Sequence, residues 1–184
     1  MTYENLRRGV REVCSRFPGE YWRGLDGGRR YPEEFVAAMT EAGYLGALIP
    51  EEYGGMGLDL SAGCAILGEV NRSGANAGPA HAQMYTMGTL LRHGSEEQKT
   101  EYLPKIARGD LRLQAFAVTE PEAGTDTTSI KSMATREGDH YIVNGRKIYI
   151  SRVEQPDLMI PLPAQNPSRR SKNAPAASPS SSWT

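Results

Sequence analysis

The chain has 184 residues, enough for one domain or two small ones with a real core. Lys and Arg number 21 against 22 Asp and Glu, a net charge of -1. That balance gives no long-range attraction for a polyanion and argues against nucleic-acid binding. No apolar run approaches the roughly 18 residues of a membrane span. Met1 to Arg8 has no apolar run behind its basic residues, so no secretory signal is read. Glu4, Glu12 and Glu20 interrupt the arginines that an acid-poor transit peptide would need. Cys14 and Cys64 each stand alone in a helical pattern and read as reduced, buried thiols of a cytoplasmic protein.

The first hundred residues read as helices. Leu6, Val10, Val13 and Phe17 form one stripe, ended by Pro18-Gly19. A second helix starts at Pro32, carries Glu33 and Glu34 at its positive end, buries Phe35, Val36 and Met39, and stops at Gly43. Ser61 is the expected cap of a third, with Ile66, Leu67 and Val70 inside, stopping near Ser73-Gly74. A fourth runs from about His81 to Arg92 and ends at Gly94. Ser95-Glu96-Glu97-Gln98 is a capping box, opening a fifth helix with Tyr102, Leu103 and Ile106, kinked at Pro104 and ended by Gly109.

At Gly109-Asp110 the period changes. Leu111, Leu113, Ala115 and Ala117 alternate with Arg112, Gln114 and Phe116 as in a strand. Met133–Thr135 is expected to meet Tyr141–Val143 across Gly138-Asp139. Asn144-Gly145 predicts a hairpin joining Tyr141–Val143 to Lys147–Ile150. The pattern implies an α+β chain: a helical domain over residues 1–110, then a partial antiparallel β-domain over 111–160. From Pro161 the text turns to Pro, Ser, Ala, Asn and Arg, so 161–184 is expected to be disordered.

The informative stretch leaves that first strand: Ala117-Val118-Thr119-Glu120-Pro121-Glu122-Ala123-Gly124-Thr125-Asp126. It fits a turn that exposes N–H groups and hydroxyls to a polar ligand, with Gly124 permitting close approach. On composition alone the favoured reading is an ordinary Asx-type turn satisfying its own backbone. His81, His93 and His140 lack metal-ligand spacing, so no metal site is expected. Gly54-Gly55-Met56-Gly57 lacks the strand-turn-helix setting of a dinucleotide fingerprint.

The same stretch resembles the first signature of the acyl-CoA dehydrogenases. Pro50-Glu51-Glu52-Tyr53-Gly54-Gly55, Gly94-Ser95-Glu96-Glu97-Gln98-Lys99 and Asn144-Gly145-Arg146-Lys147-Ile148-Tyr149-Ile150-Ser151 resemble further family motifs, in the family's order. The resemblance covers residues 5 to about 160. It implies FAD as cofactor, acyl-CoA as substrate, a role in fatty acid metabolism, and an electron-transfer flavoprotein or similar acceptor. Full-length relatives are homo-oligomeric. By the same resemblance Phe116, Val118 and Thr119 line the pyrimidine side of the flavin, and Gly124 and Thr125 serve its pyrophosphate, with Thr125 also near CoA. Tyr149 and Ile150 lie against the ring, and Ser151 approaches its N5. Met84, Tyr85, Met87 and Leu91 sit where the family packs the acyl chain, although core packing accounts for them equally well.

The family base is a glutamate from a C-terminal helical domain; Glu120 and Glu122 lie in the flavin-loop signature instead. The resemblance stops at Pro161, inside a strand begun by Asp157–Ile160. A frameshifted or prematurely ended reading frame is one explanation, natural divergence the other. On this reading the chain alone is expected neither to turn over acyl-CoA nor to hold FAD tightly. A related flavin enzyme of the same fold (acyl-CoA oxidase, nitroalkane oxidase or flavin-dependent monooxygenase) and a non-catalytic remnant are the alternatives.

Overall fold

The computed structural model describes residues 3–165. Helices come first: α1 (Tyr3–Ser15), α2 (Gly19–Gly27), α3 (Glu33–Glu41), α4 (Leu60–Arg72), α5 (Gly78–His93) and α6 (Glu96–Arg108). Short strands follow: β1 (Leu113–Ala117), β2 (Met133–Glu137), β3 (His140–Asn144), β4 (Leu158–Pro161) and β5 (Ala164–Gln165). The α+β order and the change of regime at Gly109 are as expected, Gly109 closing α6 with φ of 82°.

The stripe on α1 buries Leu6, Val10 and Cys14, and Arg11 reaches the buried Glu69 of α4 at 3.2 Å. Three helix details differ from expectation. α2 was not anticipated, because Gly24, Gly27 and Gly28 mask its propensity; its Tyr21 packs tilted against Phe17 and its Trp22 edge-on against Phe35. The cap of α4 is Asp59, whose Oδ1 accepts from Ala62 N at 2.8 Å, and not Ser61. Cys64 is exposed, while Cys14 is buried as expected; both are free thiols. The capping box of α6 forms with both of its bonds. Pro104 lies inside that helix.

Two apolar clusters share α5. One joins α1, α3, α4 and the start of α5 around Phe35, Met39 and Ile66. The other joins α5, α6 and β1 through Met87, Leu90, Leu103, Ile106 and Leu113. β1 is therefore fixed on the helical body, and whatever follows Ala117 leaves from a rigid point.

The pairing of strands is mixed. β2 and β3 are antiparallel across Gly138, as expected, but β1–β4 and β2–β5 are parallel. The hairpin expected at Asn144-Gly145 is absent: neither residue has positive φ, and Lys147–Ile150 forms no strand. Gly145 is there for another reason. A Cβ on it would lie 2.0 Å from Ser132 Oγ and 2.7 Å from Ser132 Cα. Pro161 ends β4, and Ala164–Gln165 pairs with β2, so 161–165 is ordered, contrary to expectation. The rest of the expected disordered tail, 166–184, lies outside the described residues. Among the described residues no helix is long and apolar enough to cross a membrane.

Candidate functional site

Both faces of β1 are buried, which its alternating sequence concealed. Gln114, fully buried, accepts from the Tyr31 hydroxyl at 2.6 Å and donates to Gln83 of α5 at 3.3 Å. Gln83 in turn donates to Leu45 O at 3.3 Å. Thr86 of α5 donates to Leu113 O. Burial is the main cause that pushes the Tyr31 hydroxyl up, so the phenol stays a neutral donor.

Beyond β1 the chain enters a tight turn. Glu120 N donates to Ala123 O at 2.8 Å, and Ala123 N returns to Glu120 O at 3.2 Å. The Glu120 side chain points inward and is 3% exposed. Its oxygens accept from Lys131 N at 2.7 Å, Ser132 N at 2.9 Å and Lys147 Nζ at 2.9 Å. Ser132 and then the Lys147 ammonium, with the Lys131 and Ser132 amides, hold its carboxyl down at about 2 against the cost of desolvation. Lys147 Nζ also donates to Val118 O at 2.9 Å and Leu162 O at 2.7 Å, which uses all three of its protons.

The second half of the motif behaves as an Asx turn. Asp126 accepts from Thr128 N at 3.0 Å and Ser129 Oγ at 2.6 Å, and the Ser129 and Thr128 hydroxyls lower its carboxyl. Gly124 and Thr125 precede it, both exposed, and nothing lies within 4 Å of where a Cβ on Gly124 would be. No close protein contact demands glycine there.

Val118 and Thr119 are half-buried, and Ile148 N donates to Thr119 O at 2.9 Å. That bond sets Tyr149, Ile150 and Ser151 beside them. The Tyr149 ring is 89% exposed on a backbone with φ of 58°, and Arg152 has φ of 60°. Two side-chain-bearing residues in the left-handed region so close together mark a segment held by its surroundings. Phe116 is half-buried, its ring 6.1 Å from that of Tyr85 on α5. Gly124 and Thr125 are not hydrogen-bonded to the Tyr149–Ser151 segment among the described residues.

On α5, Met84 is 6% exposed in the helical core and Met87 is fully buried in the second cluster, with Leu91 half-buried against that cluster. Tyr85, 37% exposed, is the large side chain α5 leaves on the surface by Phe116. A separate cavity of about 460 Å³ opens between the strands, lined by Ala117, Ser132, Val143, Lys147 and Leu158 among others. None of the residues expected to meet flavin lines it. Sequence reasoning missed the Glu120–Lys147 pair, although each charge stands at the centre of one of the family motifs.

Comparison with known proteins gives the fold a family. The model for the acyl-CoA dehydrogenase N-terminal domain matches residues 2–110, and the model for the acyl-CoA dehydrogenase middle domain matches residues 115–175, past the point where the motif resemblance ends. The chain is 39% identical to the glutaryl-CoA dehydrogenase of Desulfococcus multivorans over 84% of its length and 41% of the relative's. It is 37% identical to the probable acyl-CoA dehydrogenase FadE25 of Mycobacterium tuberculosis, over 81% of this chain and 38% of that one. The solved acyl-CoA dehydrogenase from Geobacillus kaustophilus superposes with a TM-score of 0.78 at 30% identity, covering 86% of this chain and 42% of that one. The chain thus spans about two fifths of the length of the relatives it matches. With matches to the family's first two domains, the first covering more than half of it, the chain belongs to the acyl-CoA dehydrogenase family.

Proposed function

We propose that this chain supplies the helical body and one wall of the flavin site of an FAD-dependent acyl-CoA dehydrogenase, which introduces a double bond between the α and β carbons of an acyl-CoA thioester. The observation that carries the reading is the Ile148 N–Thr119 O bond, which places the second motif's Tyr149–Ser151 against the first motif's Val118–Thr119. The residues fit a flavin. Tyr149 offers an exposed aromatic face for stacking, and Thr119 and Ser151 offer hydroxyls on either side of the joint. Bound FAD would supply hydride-accepting chemistry. Phe116, Val118, Thr119, Tyr149, Ile150 and Ser151 would hold its ring, and the exposed Gly124-Thr125 would serve its phosphates and the neighbouring CoA. Met84 and Met87 would back the acyl pocket from within the core, with Tyr85 and Leu91 nearer its surface. An electron-transfer flavoprotein or similar carrier is the proposed acceptor.

The general base is assigned outside the described residues. Glu120 is a poor base, because its carboxyl sits at about 2 and its oxygens already accept an ammonium and two amides. Glu122 is exposed, with Lys131 Nζ 3.8 Å away.

The test is to titrate the purified chain with FAD, follow flavin fluorescence, then add a short acyl-CoA and an artificial electron acceptor. Weak, saturable binding without turnover is expected. Absence of saturable binding would remove the flavin reading, and steady turnover would place a base within this chain.

A further inference from the structure

We propose that Lys147 is a positioning residue: its ammonium, shared among Val118 O, Glu120 and Leu162 O, aims the Thr119 backbone N–H at the ligand. The identity of that ligand rests on the flavin reading above; the aiming does not.

Stereochemistry carries the inference. The Val118–Thr119 peptide is trans, as all the described peptide bonds are, so its carbonyl and its N–H point in opposite directions. Lys147 takes the carbonyl at 2.9 Å, so Thr119 N–H is turned away from Lys147. The next peptide is fixed as well. Thr119 O accepts from Ile148 N, and Glu120 N is bound to Ala123 O. Thr119 N–H is left in between, donating to no group among the described residues. That N–H belongs to the first of two consecutive immobilised peptides, which makes it a preorganised donor. The side chain that fixes it is 14% exposed and is paired with a carboxylate that is 3% exposed, so solvent competes little for the clamp. The third acceptor, Leu162 O, ties the end of β4 into the same knot.

A merely structural ion pair and a positioning clamp give different results on replacement. Removing one partner of a buried pair leaves an uncompensated charge, whereas removing both charges relieves that cost. The experiment compares Lys147→Met with the double variant Glu120→Gln/Lys147→Met. The readouts are FAD affinity, thermal stability, and hydrogen exchange at Ile148 N–H, with the β2–β3 amides as internal control. Lys147→Met is expected to lose stability, to expose Ile148 N–H to exchange, and to weaken FAD binding about tenfold, the loss of one well-placed hydrogen bond. The double variant should recover stability while both other defects persist. Recovery of wild-type FAD affinity in the double variant would overturn the proposal. Should the wild-type chain bind no FAD, the flavin reading fails, and exchange at Ile148 alone decides: faster exchange in both variants supports the clamp, and unchanged exchange overturns it.

Discussion

The helical region and the β-region are held together by different forces. In the helices the large apolar side chains are inside: Phe35, Met39, Leu45, Ile66, Leu103 and Ile106 are at most 1% exposed. In the β-region the buried apolar residues beyond Leu113 are alanines, while Ile142, Tyr149, Val153, Met159 and Leu162 stand exposed. What joins its segments around Thr119 is polar: one ammonium, one carboxylate and the amides and carbonyls they reach. Apolar burial is non-directional and tolerates adjustment, whereas a saturated hydrogen-bond knot specifies geometry and fails when one member is lost. The helices supply stability, and the knot supplies shape where the family motifs lie.

Substitutions on either side should separate the two. The largest effect is expected from Phe35→Ala, which empties a fully buried ring site between Phe17 and Trp22 and should cost about 3–5 kcal/mol in urea unfolding followed by helical circular dichroism. A loss under about 1 kcal/mol would show that the helical core is not the stabilising centre. Gly145→Ala acts on the other side. Its new methyl would overlap Ser132, including backbone, and should cost about 1–3 kcal/mol. Hydrogen exchange should rise in β2 and around Glu120 while the helices keep their protection. Equal loosening of the helices would contradict the division. Ser95→Ala, which removes the α6 cap seen in the Ser95–Gln98 exchange, should cost about 1 kcal/mol, confined to α6 and its neighbours.

That contrast also explains what was legible in the sequence. Helix periodicity, the capping box and the terminating glycines are local signals, so α1, α3, α5 and α6 could be read directly. α2 escaped because its glycines hide a helix kept in place by tertiary aromatic packing. In the β-region the local signal misled. Asn144-Gly145 matches a hairpin turn, but the glycine serves a close approach to Ser132 and the following segment bonds to Thr119 instead. Gln114 looked like the polar face of a strand until Tyr31 and Gln83, remote in sequence, gave it buried partners. The motif residues could be found by resemblance. Their arrangement depends on contacts between residues about 30 apart, such as Lys147 with Val118, and no periodicity encodes those.

The smallest expected effect is a pH dependence that is flat near neutrality and appears only in acid. Glu120 titrates at about 2 in the folded chain, against an ordinary value of 4.5, so the native state favours its charged form. A depressed carboxyl contributes stability that is fully present above the ordinary value and is lost as pH falls toward the folded one. The window therefore runs from about 4.5 down to about 2, with less stability at the acid end. Other carboxyls shift the same way, Asp126, Glu4 and Glu96 among them, so a raw acid curve would mix their contributions. The measurement is the difference in unfolding free energy between the wild-type chain and Glu120→Gln, taken point by point across the window. Exposed carboxyls cancel in that difference. Glutamine resembles the protonated acid, so the difference should be constant near neutrality and should shrink as Glu120 takes up its proton. A difference that stays flat through the window, or grows as pH falls, would mean that the carboxylate is not what closes the knot. Lys147 would then be anchored by Val118 O and Leu162 O alone.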